Sequence, residues 1–304
     1  MARWSEFDAQ APAMAERGRA LIYQYGEPGG YLATIGGDGF PHIQPVRLRV
    51  ADGAIAVTTR EQPAAHLRTD PRYAYHAEGP DDRDDEFYIA GDAIAGADEF
   101  ELTIQRALLA TYKPHKEGNT WPPKYDRWRD PTFRSGTRPT TSRGPVTTAG
   151  VPWEVLAAAE PHGAEIARKQ IRFVGIGLGY LATVRADGAP RIHPFCPTFS
   201  GDRLYGLILG ESPKCQDLLR DPRCAVHACL FPPSPNEVLL TCVAIHHDDH
   251  ALAGQVRASA AADGMTSTND ETLFEFHVVG LDVIEHGDGD RRTSWRASGA
   301  VGAR

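Results

Sequence analysis

Two arginines stand two residues apart on a segment that is predicted to be a strand, Arg47 and Arg49. Alternate residues of a strand share one face, so both guanidinium groups are expected on the same side. Such a pair either belongs to a solvated face or forms a clamp for a substrate carboxylate or phosphate, because guanidinium groups bind both anions bidentately. The clamp is the weak substrate-binding hypothesis for this chain.

A second candidate site is the predicted start of a helix at residues 212–214, Ser-Pro-Lys. Ser212 is expected as the N-cap and Pro213 at the first helical position. Backbone N–H groups at a helix start attract anions, and Ser212 adds a hydroxyl while Lys214 adds a positive charge. Arg191 alternates with Ile192 on a predicted strand, so it faces away from the core and either carries surface charge or joins this anion site.

Cysteines and histidines gather in the second half of the chain, with all five cysteines between Cys196 and Cys242. Their odd number and the lack of a Cys-x-x-Cys pair favour reduced thiols over disulfides. Most lie in apolar stretches, where a free cysteine behaves as a small buried hydrophobe. We therefore predict no metal site. No catalytic triad, zinc signature or glycine-rich phosphate loop stands out either, so no catalytic residue is assigned.

The elements that position these residues occur twice. The segment Gly-Tyr-Leu-Ala-Thr at 30–34 recurs 149 residues later at 179–183, and Asp-Gly at 38–39 recurs at 187–188. Four of the five tryptophans are also paired, Trp4 with Trp153 at the same spacing and Trp128 with Trp295 near the end of each copy. A period of this length is that of a whole small domain. We predict copy one at 1–130, a linker rich in proline and glycine at 131–150, and copy two at 151–304.

The composition bounds the class of protein. A net charge of −8 argues against a nucleic-acid partner, which usually meets a basic face. No apolar run is long enough to span a membrane, and no secretory signal is visible, so a cytoplasmic location is expected. The expected partner is a small-molecule substrate.

The pattern within each copy predicts a mainly β fold with flanking helices (α+β). Helical stretches open both copies, and about six short strands with tight Asp-Gly turns follow, which is typical of an antiparallel barrel. His76 and His227 fall at the same strand position in the two copies, which favours core packing. Copy two carries a predicted helix at 251–262 between its last two strands, and copy one lacks it.

The series of an Asp-Gly turn, a proline-bearing strand, Ser-Pro-Lys at 212–214 and Leu-x-x-Asp-Pro-Arg at 218–223 resembles the pyridoxamine 5'-phosphate oxidase-like family. The resemblance implies two tandem FMN-binding split β-barrels packed as a pseudo-dimer, within a monomer that replaces the family's usual homodimer. It also implies an FMN-dependent oxidoreductase acting on a small molecule, with the cofactor in the groove between the two copies.

The family's phosphate grip implies cofactor-binding roles for Arg191, Ser212 and Lys214 in copy two. Copy one keeps the hydroxyls Thr58 and Thr59 at another phosphate position of the family, but it has Glu61 and Pro63 where copy two has Ser212 and Lys214. These differences predict one competent site, built mainly on copy two and completed by copy one.

Three alternatives remain open at this point. A deazaflavin could replace FMN, because the family includes deazaflavin-dependent reductases. Haem could bind on the same fold with His193 or His227 as axial ligand; His193 shares the Arg191 face and could also touch a flavin. The chain could finally be a ligand-binding fused dimer without catalysis.

Overall fold

A computed structural model describes residues 1–24, 26–78, 84–114, 122–133, 149–230 and 236–298 of the chain. The described chain forms two compact units. Unit 1 contains Met1–Gly37 and Gln44–Pro139, and unit 2 contains Asp38–Ile43 and Thr140–Arg304. Most of the predicted linker lies outside the described residues.

The described residues of the first copy form three helices and eight strands. In chain order these are α1 (Trp4–Gln10), α2 (Pro12–Ile22), β1 (Gly30–Ile35), β2 (Pro41–Val46), β3 (Leu48–Ala51), β4 (Ala54–Val57), α3 (Glu61–Thr69), β5 (Arg72–Glu78), β6 (Glu86–Ala95), β7 (Phe100–Thr111) and β8 (Lys124–Arg129).

The second copy repeats this order and adds one helix. Its elements are α4 (Trp153–Ala159), α5 (Pro161–Ile171), β9 (Gly179–Val184), β10 (Pro190–Phe195), β11 (Pro197–Ser200), β12 (Arg203–Leu209), α6 (Pro213–Arg220), β13 (Arg223–Ala228), β14 (Glu237–His247), α7 (His250–Ala262), β15 (Glu271–Glu285) and β16 (Arg291–Arg296).

The two sheets have the same topology. The first follows the order β2-β1-β5-β6-β7-β4-β3 with β8 beside β7, and the second follows β10-β9-β13-β14-β15-β12-β11 with β16 beside β15. Strands β2 and β3 stand at opposite ends of this path, yet only Arg47 separates them in sequence. The sheet must therefore curl until its ends meet. The predicted mainly β fold of two tandem split barrels is confirmed.

The predicted Asp-Gly hairpins are present in both copies. Gly39 and Gly188 have φ angles of 85° and 78°, a conformation that glycine adopts at low cost. The preceding aspartates accept hydrogen bonds from the backbone N–H groups of Phe40 and Ala189, at 3.0 and 3.1 Å. These turns fix the register of the strands that follow them.

The paired tryptophans begin the first helix of each copy and lie in the two cores. Trp4 packs edge-on against Phe7, with 5.4 Å between ring centroids, and Trp153 packs against Phe199 at 4.9 Å. Both indoles are almost fully buried. Trp4 also meets Phe87 of β6 edge-on at 6.3 Å, so in both copies an indole from the first helix packs against the sheet.

Local predictions are confirmed at two helices of unit 2. Helix α6 begins at Pro213 with Ser212 as its N-cap, and helix α7 is the predicted insert, one residue longer at its start. The predicted count of six strands is wrong, because eight strands are present in the described part of each copy. The four-residue strand β11 was not recognised, and neither were β8 and β16. The strand predicted to carry both Arg47 and Arg49 is interrupted at Arg47, which lies between β2 and β3. In the described part of the chain, no helix is long and apolar enough to cross a membrane.

Candidate functional site

The copy-two residues predicted to grip a phosphate lie around the start of α6, and each has a partner inside unit 2. The Ser212 hydroxyl accepts a hydrogen bond from the Cys215 N–H at 3.3 Å, so it caps the helix. The Lys214 ammonium donates to the Pro194 carbonyl at 3.1 Å. This bond holds Lys214 against β10, the strand that carries Arg191 and His193.

Arg191 forms an ion pair with a buried aspartate. Its Nε donates to Asp217 Oδ2 at 2.5 Å, and the Thr183 hydroxyl donates to the same oxygen at 3.0 Å. Arg220 donates to the other carboxylate oxygen at 2.9 Å. Asp217 is almost fully buried, so removing either cation would leave its charge poorly solvated. These contacts give Arg191 a structural task; its predicted cofactor role stays a prediction.

The two histidines of the haem hypothesis lie in different surroundings. His193 is half-buried on β10, in register with Leu181 on β9. His227 is 1% exposed, and its Nδ1 lies 2.6 Å from the Ala228 carbonyl oxygen. Such contacts are typical of a packed histidine. Among the described residues, no three His, Cys, Asp or Glu side chains form a group that could hold a metal ion.

Three thiols of unit 2 have a raised pKa, which favours their protonated form. Burial raises the pKa of Cys196, although the nearby Lys214 ammonium opposes the rise. Burial also raises the pKa of Cys224 and of Cys242, which face each other on β13 and β14. Because the thiolate is the reactive form, these cysteines are poor nucleophiles.

The other four predicted residues come together in unit 1. Arg47, Arg49, Thr58 and Thr59 line one pocket of about 650 Å³. It lies where the ends of the curled sheet meet, between the end of β2, strand β3 and the end of β4. We call it the unit 1 pocket. Its volume is within the usual range for small-molecule and cofactor sites.

Cations predominate in the wall of the unit 1 pocket. Arg60 joins Arg47 and Arg49, and Glu99 is the one carboxylate among the described residues that line it. Arg47 pairs with Glu27 at 2.9 Å, and Arg49 pairs with Glu99. All four of these side chains are at least 40% exposed, so the pairs are weak and an incoming anion can displace the carboxylates.

Sequence reasoning missed the deepest polar residue of this pocket, Gln44 on β2. Its side chain is 2% exposed, and neither amide atom has a hydrogen-bond partner among the described residues. A signal was available, because the repeat aligns Gln44 with His193, a predicted site residue of copy two. A lone glutamine on a strand carries no other mark of function.

No protein-family model matches the sequence, and no curated protein matches it either. Solved structures are similar over less than half of the chain. A NimC/NimA family protein from Clostridium acetobutylicum is 18% identical, over 44% of this chain and 92% of its own, with a TM-score of 0.36.

Two further structures are similar at the same level. A heme binding protein from Mycobacterium smegmatis is 22% identical over 43% of this chain and 57% of its own, with a TM-score of 0.35. A protein assigned as a pyridoxamine 5'-phosphate oxidase from Listeria innocua is 15% identical over 39% of this chain and 95% of its own, with a TM-score of 0.34. The chemistry of this chain must therefore be argued from its own residues.

Proposed function

We propose that this chain binds FMN in the unit 1 pocket and acts as an FMN-dependent oxidoreductase on a small molecule. One observation carries the proposal: the four copy-one residues that sequence reasoning selected for an anion, Arg47, Arg49, Thr58 and Thr59, line a single pocket. They come from two separate segments, which the curl of the sheet brings together.

The donor set of this pocket suits a phosphate ester. Guanidinium groups bind phosphate oxygens through two parallel hydrogen bonds, and threonine hydroxyls add single ones. The apolar lining from Val46, Leu48 and Ala56 offers a surface for a planar ring. Bound FMN would supply the hydride chemistry, and the residues of this chain would bind and orient it.

The same pocket suits haem less well. Among the described residues that line it there is no histidine, cysteine or methionine, the side chains that most often ligate haem iron. His193 and His227 are not part of its lining. A phosphorylated deazaflavin remains the second candidate, because it offers the same phosphate and a similar ring system.

The proposal is tested by titrating the purified protein with FMN and with riboflavin, following the quenching of flavin fluorescence. We expect FMN to bind more tightly, because riboflavin lacks the phosphate. The double variant Arg47→Ala, Arg49→Ala should weaken FMN binding about 10- to 100-fold and leave riboflavin binding unchanged, since charge-assisted bonds to phosphate are lost.

Arg292→Ala is the matched control, because Arg292 is an exposed arginine on β16 outside the pocket. A protein that takes up no FMN, or a double variant that binds FMN as the wild type does, would overturn the assignment. Reduction of the bound flavin by NADPH or another reductant, seen as bleaching of its visible bands, separates an oxidoreductase from a carrier.

A further inference from the structure

The amide of Gln44 is an anomaly in the wall of the unit 1 pocket. A buried amide can accept at its oxygen and donate through its nitrogen, and buried polar groups nearly always find partners. Here both Oε1 and Nε2 lack one among the described residues, while the side chain is 98% removed from solvent. Leaving both atoms unsatisfied costs stability, so a compensating role is expected.

A second buried glutamine shows how this protein treats an amide with only a structural task. Gln170 on α5 is 3% exposed, and its Nε2 donates to the Cys229 carbonyl at 3.0 Å. The two glutamines are equally buried, yet only Gln170 is bonded to a neighbouring strand or loop of its own unit. A third glutamine, Gln24, leaves its buried Oε1 without a partner as well, but among the described glutamines only Gln44 leaves both amide atoms open to a group that enters the pocket.

The chemistry of the missing partner follows from the two unpaired amide atoms, because Oε1 needs a donor and Nε2 needs an acceptor. A phosphate or carboxylate offers acceptors alone and would leave Oε1 unsatisfied. A guanidinium or ammonium group offers donors alone and would leave Nε2 unsatisfied. A cyclic imide or lactam presents an N–H beside a C=O, and it satisfies both amide atoms at once through two parallel hydrogen bonds.

We propose that Gln44 is a specificity-determining residue that recognises the imide edge of a heterocyclic ligand in the unit 1 pocket. The inference deepens the proposed function and rests on it, because the pyrimidine ring of a flavin carries such an edge. The arginines and threonines of the pocket would then select the phosphate, and Gln44 would select the ring. This assignment also disfavours porphyrins, which have no imide.

The variant Gln44→Met tests the inference, because methionine keeps the length of the side chain and removes both polar functions. Without ligand, Gln44→Met should raise the Tm by about 2–4 °C, since an unsatisfied amide is replaced by an apolar group. The control Gln170→Met should lower the Tm, because it breaks an existing hydrogen bond. A purely structural Gln44 would behave like Gln170.

Ligand binding gives the second measurement. The wild type should bind riboflavin about tenfold or more tightly than riboflavin methylated at the imide nitrogen, and Gln44→Met should lose that preference. Equal binding of the two ligands by the wild type, or a lowered Tm for Gln44→Met, would overturn the inference.

The outcomes separate this inference from the proposed function. If riboflavin binds through Gln44 but FMN binds no more tightly, the phosphate assignment fails and the imide assignment stands. If FMN binds equally well to the wild type and to Gln44→Met, the imide assignment fails and the phosphate assignment stands. If neither flavin binds, both are overturned.

Discussion

The two copies close their curled sheets at the same place but fill that place differently. In unit 2, helix α7 lies over β11: Ser259 hydrogen-bonds Ser200 at 2.9 Å, and Val256 packs with Tyr205 in a small core. Copy one has no such helix, and its equivalent strand, β3, carries Arg49 in the wall of an open pocket. Loss of one covering helix thus leaves room for a ligand.

The side chains at the closing point of the sheet also differ between the two units. Arg47 and Arg49 of unit 1 correspond to Cys196 and Thr198 of unit 2, which are half-buried and buried. The two cations predicted to bind phosphate in unit 2 donate to internal acceptors instead, Arg191 to Asp217 and Lys214 to the Pro194 carbonyl. The two copies therefore share the arrangement of strands, but arginines stand exposed to a ligand beside β3, where no helix corresponds to α7.

The largest expected effect concerns the charged network of unit 2. Asp217→Ala would leave Arg191 and Arg220 without their carboxylate and should lower the free energy of unfolding by about 3 kcal/mol. The equivalent position of unit 1 is His66, whose ring bonds the Thr34 hydroxyl at 3.1 Å. His66→Ala should cost about 1 kcal/mol.

Urea denaturation of the two variants measures this contrast. Equal losses would show that the ion pair of unit 2 contributes no more than the neutral bond of unit 1, and the comparison between the units would fail at this point.

The next effect concerns a β-bulge that both sheets have, between Ala90 and Gly91 in unit 1 and between Thr241 and Cys242 in unit 2. A Cβ on Gly91 would lie 1.8 Å from the Thr103 carbonyl oxygen, which is backbone. Gly91→Ala should therefore destabilise the protein by about 2–3 kcal/mol.

Gly280 lies beside the bulge of unit 2, opposite Thr241 on the neighbouring strand, and serves as the comparison glycine. Its Cβ would first meet the flexible Arg296 side chain at 3.0 Å, so Gly280→Ala should cost less than about 1 kcal/mol. Thermal unfolding of both variants gives the comparison, and a Gly91→Ala protein as stable as Gly280→Ala would show that the backbone at the bulge yields easily.

The smallest effect is a difference in the pH dependence of stability. It arises at two equivalent glutamates, Glu86 of unit 1 and Glu237 of unit 2, and Glu237 bonds His286. Burial would raise the pKa of Glu86, but the nearby His76 and the hydroxyls of Tyr88 and Tyr112 outweigh it and lower the pKa below 4.5. Burial would lower the pKa of His286, but hydrogen bonds to Glu237 and Asp290 outweigh it and raise the pKa above 6.5.

The two shifts act in opposite pH windows. The Glu86 contribution to stability is present above pH 4.5 and is lost as the pH falls through its lowered folded pKa. The His286 contribution is complete below pH 6.5 and is lost as the pH rises through its raised folded pKa.

Tyr112→Phe should therefore lower the Tm most near neutral pH, and His286→Gln should lower it most near about pH 5.5. Each loss should be under about 1 kcal/mol, since both networks keep other partners. Melting curves across the pH range measure both variants, and identical pH profiles would refute the assigned partners.

The sequence predicted the fold because the signals for the fold are local. The Asp-Gly turns and the Ser212 cap with Pro213 each act within a few residues, and the repeat supplied the turns and the tryptophans twice. The missed strand β11 is four residues long, too short for alternation to stand out.

The candidate site was harder to predict, because its features depend on contacts between distant segments. Arg191 was selected by its strand position, but its pairing with Asp217 on α6 could not be read from spacing. The grouping of Arg49 with Thr58 depends on how far the sheet curls. Gln44 gave no signal by residue type, because a missing hydrogen-bond partner is visible only in three dimensions.

The confinement of all five cysteines to the second copy has an experimental consequence. Four of them, Cys215, Cys224, Cys229 and Cys242, are buried, and the first copy has none. A thiol reagent added to the native protein will react with them only when their surroundings open. The labelling rate, followed by mass spectrometry, therefore reports fluctuations of one half of this chain while the other half stays silent, without any engineered probe.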